Sequence, residues 1–263
     1  MTIIKIGGGE NINLEAIVND LSNIKDDYIA VHGANALRDK IAEKLNYEKR
    51  ILVSASGYSS VFSDDEALDI MLMSYSGLRN KRIVELCQQN GINAIGLTGL
   101  DGKLVVGKRN NGIRVKDNGK LKIVRDYSGK PKAINVELIN LLLNNGYVPV
   151  ITVPIIDENN FAISSENDDI IALLKNELNA ETVFQLIEAP GFLDNANDAN
   201  SLVKNISKQE LENRESQVEG RMKRKMKALI KLFETGETSV YICDGRIENP
   251  LTKALSGEGT LIK

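Results

Sequence analysis

Short aliphatic and β-branched runs recur along the chain at 3–6, 28–31, 51–53, 93–97, 147–153, 182–187 and 240–243. None alternates polar with apolar positions, so each reads as a strand buried on both faces. Between them, 14–24, 37–45, 64–89, 134–145, 168–178 and 218–233 carry apolar residues at helical spacing. Strands alternating with crossover-length helices predict an α/β fold, a three-layer α/β/α sandwich around a mainly parallel open sheet.

The segment 103–125 breaks the alternation. Two β-branched stretches flank Asn118-Gly119, a pair that tolerates the positive φ angles of a two-residue turn, so an antiparallel hairpin excursion is expected. The stretch 108–125 carries seven basic residues, Lys108, Arg109, Arg114, Lys116, Lys120, Lys122 and Arg125. It is either a solvated hairpin or a docking surface for something acidic. The polar run 194–200 reads as a surface loop. The turn at 157–160 is the expected seam between two lobes, 1–158 and 159–263.

With 263 residues, 42% hydrophobic and 26% charged, the chain is long enough to bury a large core. A net charge of -3 gives no electrostatic ground for nucleic acid or an anionic membrane as main partner. Cys87 and Cys243 stand far apart without ligand spacing, so neither a disulfide framework nor a zinc site is expected. The lone histidine, His32, excludes a multi-histidine metal centre. No apolar run approaches the roughly 18 residues of a membrane span, and the opening residues lack the pattern of a secretory signal, so a cytosolic protein is expected.

Four places carry candidate chemistry. The first strand runs into Lys5-Ile6-Gly7-Gly8-Gly9, where glycines at a strand's carboxyl end let backbone N–H groups approach an anion and Lys5 adds charge. This is neither a P-loop nor a dinucleotide fingerprint, and a plain strand-to-helix turn is the bland alternative. The second strand ends Val31-His32-Gly33-Ala34-Asn35; in a parallel sheet the two turns sit side by side at the ligand-binding edge. His32 by itself reads as a hydrogen-bonded structural histidine. Third, Ser164 to Asp169 opens an apolar helix, where a carboxylate is usually a cap. Fourth, Gly220 to Met226 opens an amphipathic helix whose basic face is by default solvated but can hold phosphate. Phosphoryl transfer asks for this set: cations and N–H donors on the transferring oxygens, and an in-line acceptor.

In this order the set resembles the amino acid kinase family, specifically its acetylglutamate kinase branch. The resemblance rests on Ile4-Lys5-Ile6-Gly7-Gly8, the Val31-His32-Gly33 turn, the Leu142 to Ile151 stretch, Asp168 and the Gly220 to Lys225 segment, and covers essentially the whole chain. The 54–68 and 96–105 regions, the basic 112–130 stretch and the 244–262 region are most similar to the LysW-aminoadipate/LysW-glutamate kinases. Those enzymes phosphorylate the side-chain carboxylate of an amino acid whose amine is masked on the acidic carrier protein LysW, in lysine and arginine synthesis. The resemblance implies that Lys5 and Lys225 neutralise the transferring phosphoryl group, with Asp168 orienting both. It implies phosphate and ATP contacts at Gly7, Gly8, Gly33, Ala34, Glu188, Gly191 and Gly220, and acceptor contacts at Ser56, Gly57, Val61, Ser164 and Asn167. Mg²⁺ would travel with ATP rather than occupy an all-protein site. A homodimer is implied, with the hairpin as docking surface for the carrier.

The chain departs from the family pattern around the acceptor. Ala34 and Asn35 replace glycines of the VHGGG turn, Val61 stands where an arginine grips the substrate's α-carboxylate, and Ser164 replaces an asparagine. Loss of a buried charged partner typically costs about 2 to 5 kcal/mol, a hundredfold or more in affinity. Three readings follow: a kinase of carrier-linked or N-acyl amino acids, a kinase of the same fold with another acceptor, or a catalytically weak nucleotide-binding paralogue. Retention of Lys5, Asp168 and Lys225 argues against the third.

Overall fold

The computed structural model describes residues 1–54, 57, 59–117, 120–195, 198–218 and 220–263, with backbone alone at 116, 117, 120, 199, 220–222 and 224. The first part of the chain forms β1 (Thr2–Ile6), α1 (Leu14–Leu21), β2 (Tyr28–His32), α2 (Asn35–Lys44), β3 (Ile51–Val53), β4 (Ser59–Val61), α3 (Asp65–Met71) and α4 (Asn80–Gln89). A π-helical stretch, Leu72–Arg79, joins α3 to α4. Next come β5 (Ala94–Gly99), β6 (Val105–Arg109), β7 (Ile113–Asp117), β8 (Lys120–Val124), β9 (Gly129–Ile134), α5 (Val136–Asn144), β10 (Val148–Ile156) and β11 (Ala162–Ile163). The chain closes with α6 (Asn167–Leu178), β12 (Thr182–Ile187), β13 (Asn205–Ile206), α7 (Lys208–Ser216), α8 (Gly220–Lys231), β14 (Ser239–Asp244), α9 (Pro250–Leu255) and β15 (Thr260–Ile262).

The main sheet runs β13-β15-β14-β12-β1-β2-β10-β6-β9, with β5 and β11 also on β10. The central pairs β14/β12, β12/β1, β1/β2, β2/β10 and β10/β5 are all parallel. Antiparallel pairing enters at β14/β15, β6/β9 and β10/β11. This is the expected three-layer sandwich. No helix among the described residues is long and apolar enough to cross a membrane.

Side chains alternate across the sheet, and each face has its own core. Ile3, Ile29, Val31 and Ile151 pack with Ile170, Ile171 and Leu174 of α6 and Met226 and Leu229 of α8. Ile4, Ile6, Tyr28, Ala30 and Val150 pack with Ile17, Val18 and Leu21 of α1, Ile83 and Cys87 of α4 and Leu251 of α9. Each fully buried aliphatic contributes about 1.5–3 kcal/mol. Both faces being apolar explains why the strands read as unbroken runs. The alternation also assigns the polar positions: Lys5, two residues after Ile3, faces α6 and α8, whereas His32, two after Ala30, faces α4.

Two expectations need correction. The 51–53 run is not a strand of the sheet; β3 pairs antiparallel with β4 alone, and Ile51 and Val53 are 50% and 53% exposed. Within 103–125 only β7 and β8 leave the sheet, as an antiparallel pair with Asp117 opposite Lys120. The turn residues Asn118 and Gly119 lie outside the described residues, while β6 stays in the sheet beside β10 and β9.

Candidate active site

The carboxyl ends of β1, β2, β12 and β10 lie along one edge of the sheet, where the crevice of an open parallel sheet forms. The glycine turns after β1 and β2 meet there. Gly33 N donates to Ile6 O at 2.9 Å and Ala36 N to Gly8 O at 2.9 Å. An added Cβ on Gly8 would lie 2.6 Å from Ala34 N and 2.7 Å from Asn35 N, so only glycine allows this approach. Ala34 caps α2 without a side-chain hydrogen bond, which leaves N–H groups at a helix start beside Gly8.

Lys5 projects from this edge and forms an ion pair with Asp168 in the first turn of α6. Glu166 is the helix N-cap and makes no side-chain cap bond, so Asp168 and Asp169 are not caps. Asp169 instead pairs with Lys231 and so ties α6 to α8. Lys225 stands on α8, exposed, six residues before that anchor, about 9 Å along the axis at 1.5 Å per residue. Gly220 opens the same helix.

Beside Asp168, Asn167 Nδ2 donates to His32 O at 2.9 Å. Its Oδ1, and Ser165 Oγ next to it, are buried without a partner among the described residues. Buried polar atoms left so are costly unless something else satisfies them. Glu188, just past β12, accepts from Asn11 N at 2.6 Å and lies against Gly9. Gly191 is further along the same loop, packed on Thr260 and Leu202. Gly57 has a left-handed φ of 83°, Val61 is half-buried at the end of β4, and Ser164 Oγ sits 2.7 Å from Ser63 Oγ. Ser56 lies outside the described residues.

His32 is structural. It is fully buried, Asn80 Nδ2 is 3.1 Å from Nε2, and its carbonyl accepts from Thr152 Oγ1 at 2.9 Å. Burial pushes the imidazole pKa down to about 3, so the ring is neutral under ordinary conditions. Sequence reasoning passed over two residues of this neighbourhood. Asn80 braces His32 and Val150 O, and Arg79 brings Nη2 to 3.4 Å from Gly7 O while its Nε is buried without a partner among the described residues. Both sit inside a helix, where a polar residue looks like any solvated one. The only signal was that Asn80 falls on the apolar stripe with Ile83 and Cys87.

The fold and this edge define a phosphoryl-transfer scaffold, and comparison with known proteins agrees. The model of the amino acid kinase family matches residues 1–244, and the chain belongs to that family. The LysW-aminoadipate kinase of Thermus thermophilus is 41% identical over 269 residues, with all of both chains covered. That of Deinococcus radiodurans is 36% identical, covering 100% of this chain and 91% of the relative. Among solved structures, Giardia carbamate kinase superposes with a TM-score of 0.66 at 17% identity, covering 99% of this chain and 97% of that one.

Proposed function

We propose that the chain is an ATP-dependent kinase that phosphorylates the side-chain carboxylate of an amine-masked amino acid, in lysine or arginine biosynthesis. The acceptor is aminoadipate or glutamate linked to an acidic carrier protein of the LysW type. The observation that carries this is the Lys5–Asp168 pair set against two abutting glycine turns, in a chain 41% identical to a LysW-aminoadipate kinase.

The chemistry follows from those groups. A carboxylate oxygen of the acceptor attacks the γ-phosphorus, the bond to the β,γ-bridging oxygen breaks, and ADP leaves with that electron pair. The nucleophile is already ionised near neutral pH, so no general base is required. That agrees with a site whose one histidine is buried and turned away. What the protein must supply is charge and orientation. Lys5 and Lys225 neutralise the transferring oxygens, Asp168 aims Lys5, and N–H groups at Gly8 and Ala34 complete the cradle. The nucleotide lies over the C-terminal part, 159–263, near Glu188, Gly191 and the Gly220 end of α8, and the acceptor over 1–158. The cradle that a Cβ would fill and the orphaned Asn167 Oδ1 and Ser165 Oγ fit a polyanion with bound water or Mg²⁺. Asn167 and Ser165 would hold the ion or its water, and Mg²⁺ arriving with ATP would supply charge neutralisation at the phosphates.

The hairpin β7–β8 supports the carrier-linked form: Arg114 and Lys122 are exposed on it, and Arg125 is exposed just after it. The deciding assay is ATP turnover with Mg²⁺ and hydroxylamine, which traps acyl phosphates as hydroxamates. Carrier-linked aminoadipate, carrier-linked glutamate and N-acetylglutamate are offered in parallel. Hydroxamate from a carrier-linked acceptor is the expected result; ATP binding without product from any of the three would sink the reading.

A further inference from the structure

The loss of arginine at Val61 leaves the acceptor's second, non-reacting carboxylate without its family partner. The structure offers a replacement at the end of β6, in the main sheet. A cavity of about 660 Å³ opens beside Val61, lined by Phe62, Ser63, Arg109, Arg125, Asp126 and Tyr127 among others. It lies on the same edge of the sheet as the glycine turns, because Arg109 ends β6 and Asp157 follows β10, two strands that run parallel. It also shares a wall with the phosphoryl site. Ser63 Oγ is 2.7 Å from Ser164 Oγ, Ser164 N donates to Tyr127 O at 2.7 Å, and Ser164 stands four residues before Asp168.

Arg109 is held ready for an anion. Its Nε donates to Asp157 Oδ2 at 2.8 Å, and Asp157, 2% exposed, is itself fixed by the Asn159 and Phe161 N–H groups at 2.9 Å each. The guanidinium lies 4.7 Å over the Tyr127 ring and 5.9 Å from that of Phe161. Its Nη atoms have no hydrogen-bond partner among the described residues, the fork that grips a carboxylate with two parallel bonds. Four acids line the cavity; Asp65 accepts from the Tyr127 hydroxyl at 3.4 Å within it, and the other three are held by neighbouring groups. Asp126 serves Ser63 N and Ser128, Asp64 serves Ala67 N and Tyr47, and Glu158 accepts from Arg109's own backbone N–H. Arg109, counted by sequence among the basic hairpin, is thus turned inward and belongs to the cavity.

We propose that Arg109 binds the non-reacting carboxylate of the acceptor and takes over the task of the arginine missing at Val61. The assignment rests on the kinase reading above. Its test pairs two acceptors with three proteins: carrier-linked aminoadipate and the same compound with its α-carboxyl amidated, against wild type, Arg109→Met and Arg109→Lys. Wild type should lose about a hundredfold in kcat/KM on amidation, the usual loss when a charged partner is removed. Arg109→Met should lose as much on the free acid and nothing further on the amide, with KM for ATP unchanged. Arg109→Lys keeps the charge and tests the fork, and should lose about tenfold or more on the acid alone. Either variant keeping the wild-type preference for acid over amide overturns the assignment while leaving the kinase reading intact. Failure of wild type to phosphorylate any acceptor overturns both.

Discussion

Gly8→Ala tests the contact on which the proposed phosphate cradle depends. The new Cβ would lie 2.6 Å from Ala34 N, 2.7 Å from Asn35 N and 2.8 Å from Gly33 C. All three are backbone atoms, so no rotamer change relieves them. Reaching an ordinary separation of about 3.5 Å requires the two turns to part by roughly 0.7 to 0.9 Å, which carries the Ala34 N–H away from the transferring phosphoryl group. A displacement of that order costs about a hundredfold in rate, and overpacking of this kind destabilises by about 1–3 kcal/mol, roughly 2–4 °C in Tm per kcal/mol at this chain length. Gly9→Ala is the internal control. The three atoms nearest its Cβ would all belong to the Glu188 carboxylate, 1.9 Å from Oε2, the end of a flexible side chain that can turn aside by giving up its bond from Asn11 N. Hydroxamate formation and thermal unfolding of both variants decide the matter. A Gly8→Ala enzyme within threefold of wild type, or a Gly9→Ala enzyme impaired more than Gly8→Ala, would refute the reasoning.

Three further outcomes follow. Lys5→Ala, Lys225→Ala and Asp168→Asn should each lower kcat by about 10²- to 10³-fold, as removal of a preorganised charge does, with little change in unfolding temperature; near wild-type rates in all three would dismantle the site. The His32 ring, with a folded pKa near 3, should show no NMR titration from pH 8 to 5. Below about 6.5 the unfolded chain takes up a proton that the folded chain refuses, so this residue withdraws about 2 kcal/mol of stability between pH 6.5 and 5; a titration midpoint near 6.5 would contradict it. Arg114→Glu combined with Lys116→Glu should raise KM for a carrier-linked acceptor and spare turnover of a small N-acyl acceptor, and equal effects on both would remove the docking role.

The strands and long helices were legible because a parallel sheet covered on both faces needs runs without polar alternation. The same rule misread 51–53. Three apolar residues look alike whether helices cover both faces or, as in β3, one strand pairs beside them and two side chains stay exposed. The short helix α9 and strand β15 carry too few residues for a period to show. Lys5, Gly8 and Asp168 stood out as candidates because their types sit at strand and helix ends, and the structure brings them to one edge of the sheet. Arg109 was not, since a cation in a basic stretch gives no sign that Asp157, 48 residues on, turns it inward.

Which residues share a face follows from local sequence, because side-chain direction along a strand is a local property of the backbone. Ile3 and Lys5 on one side, Ile4 and Ile6 on the other, follow from spacing alone. What each face meets depends on how distant elements pack. Asp168 comes to Lys5 across 163 residues, and His32 to Asn80 across 48, because the crossovers lay α6 on one side of the sheet and α4 on the other. That choice set the lysine against an aspartate beside the glycine turns and left the histidine a buried brace.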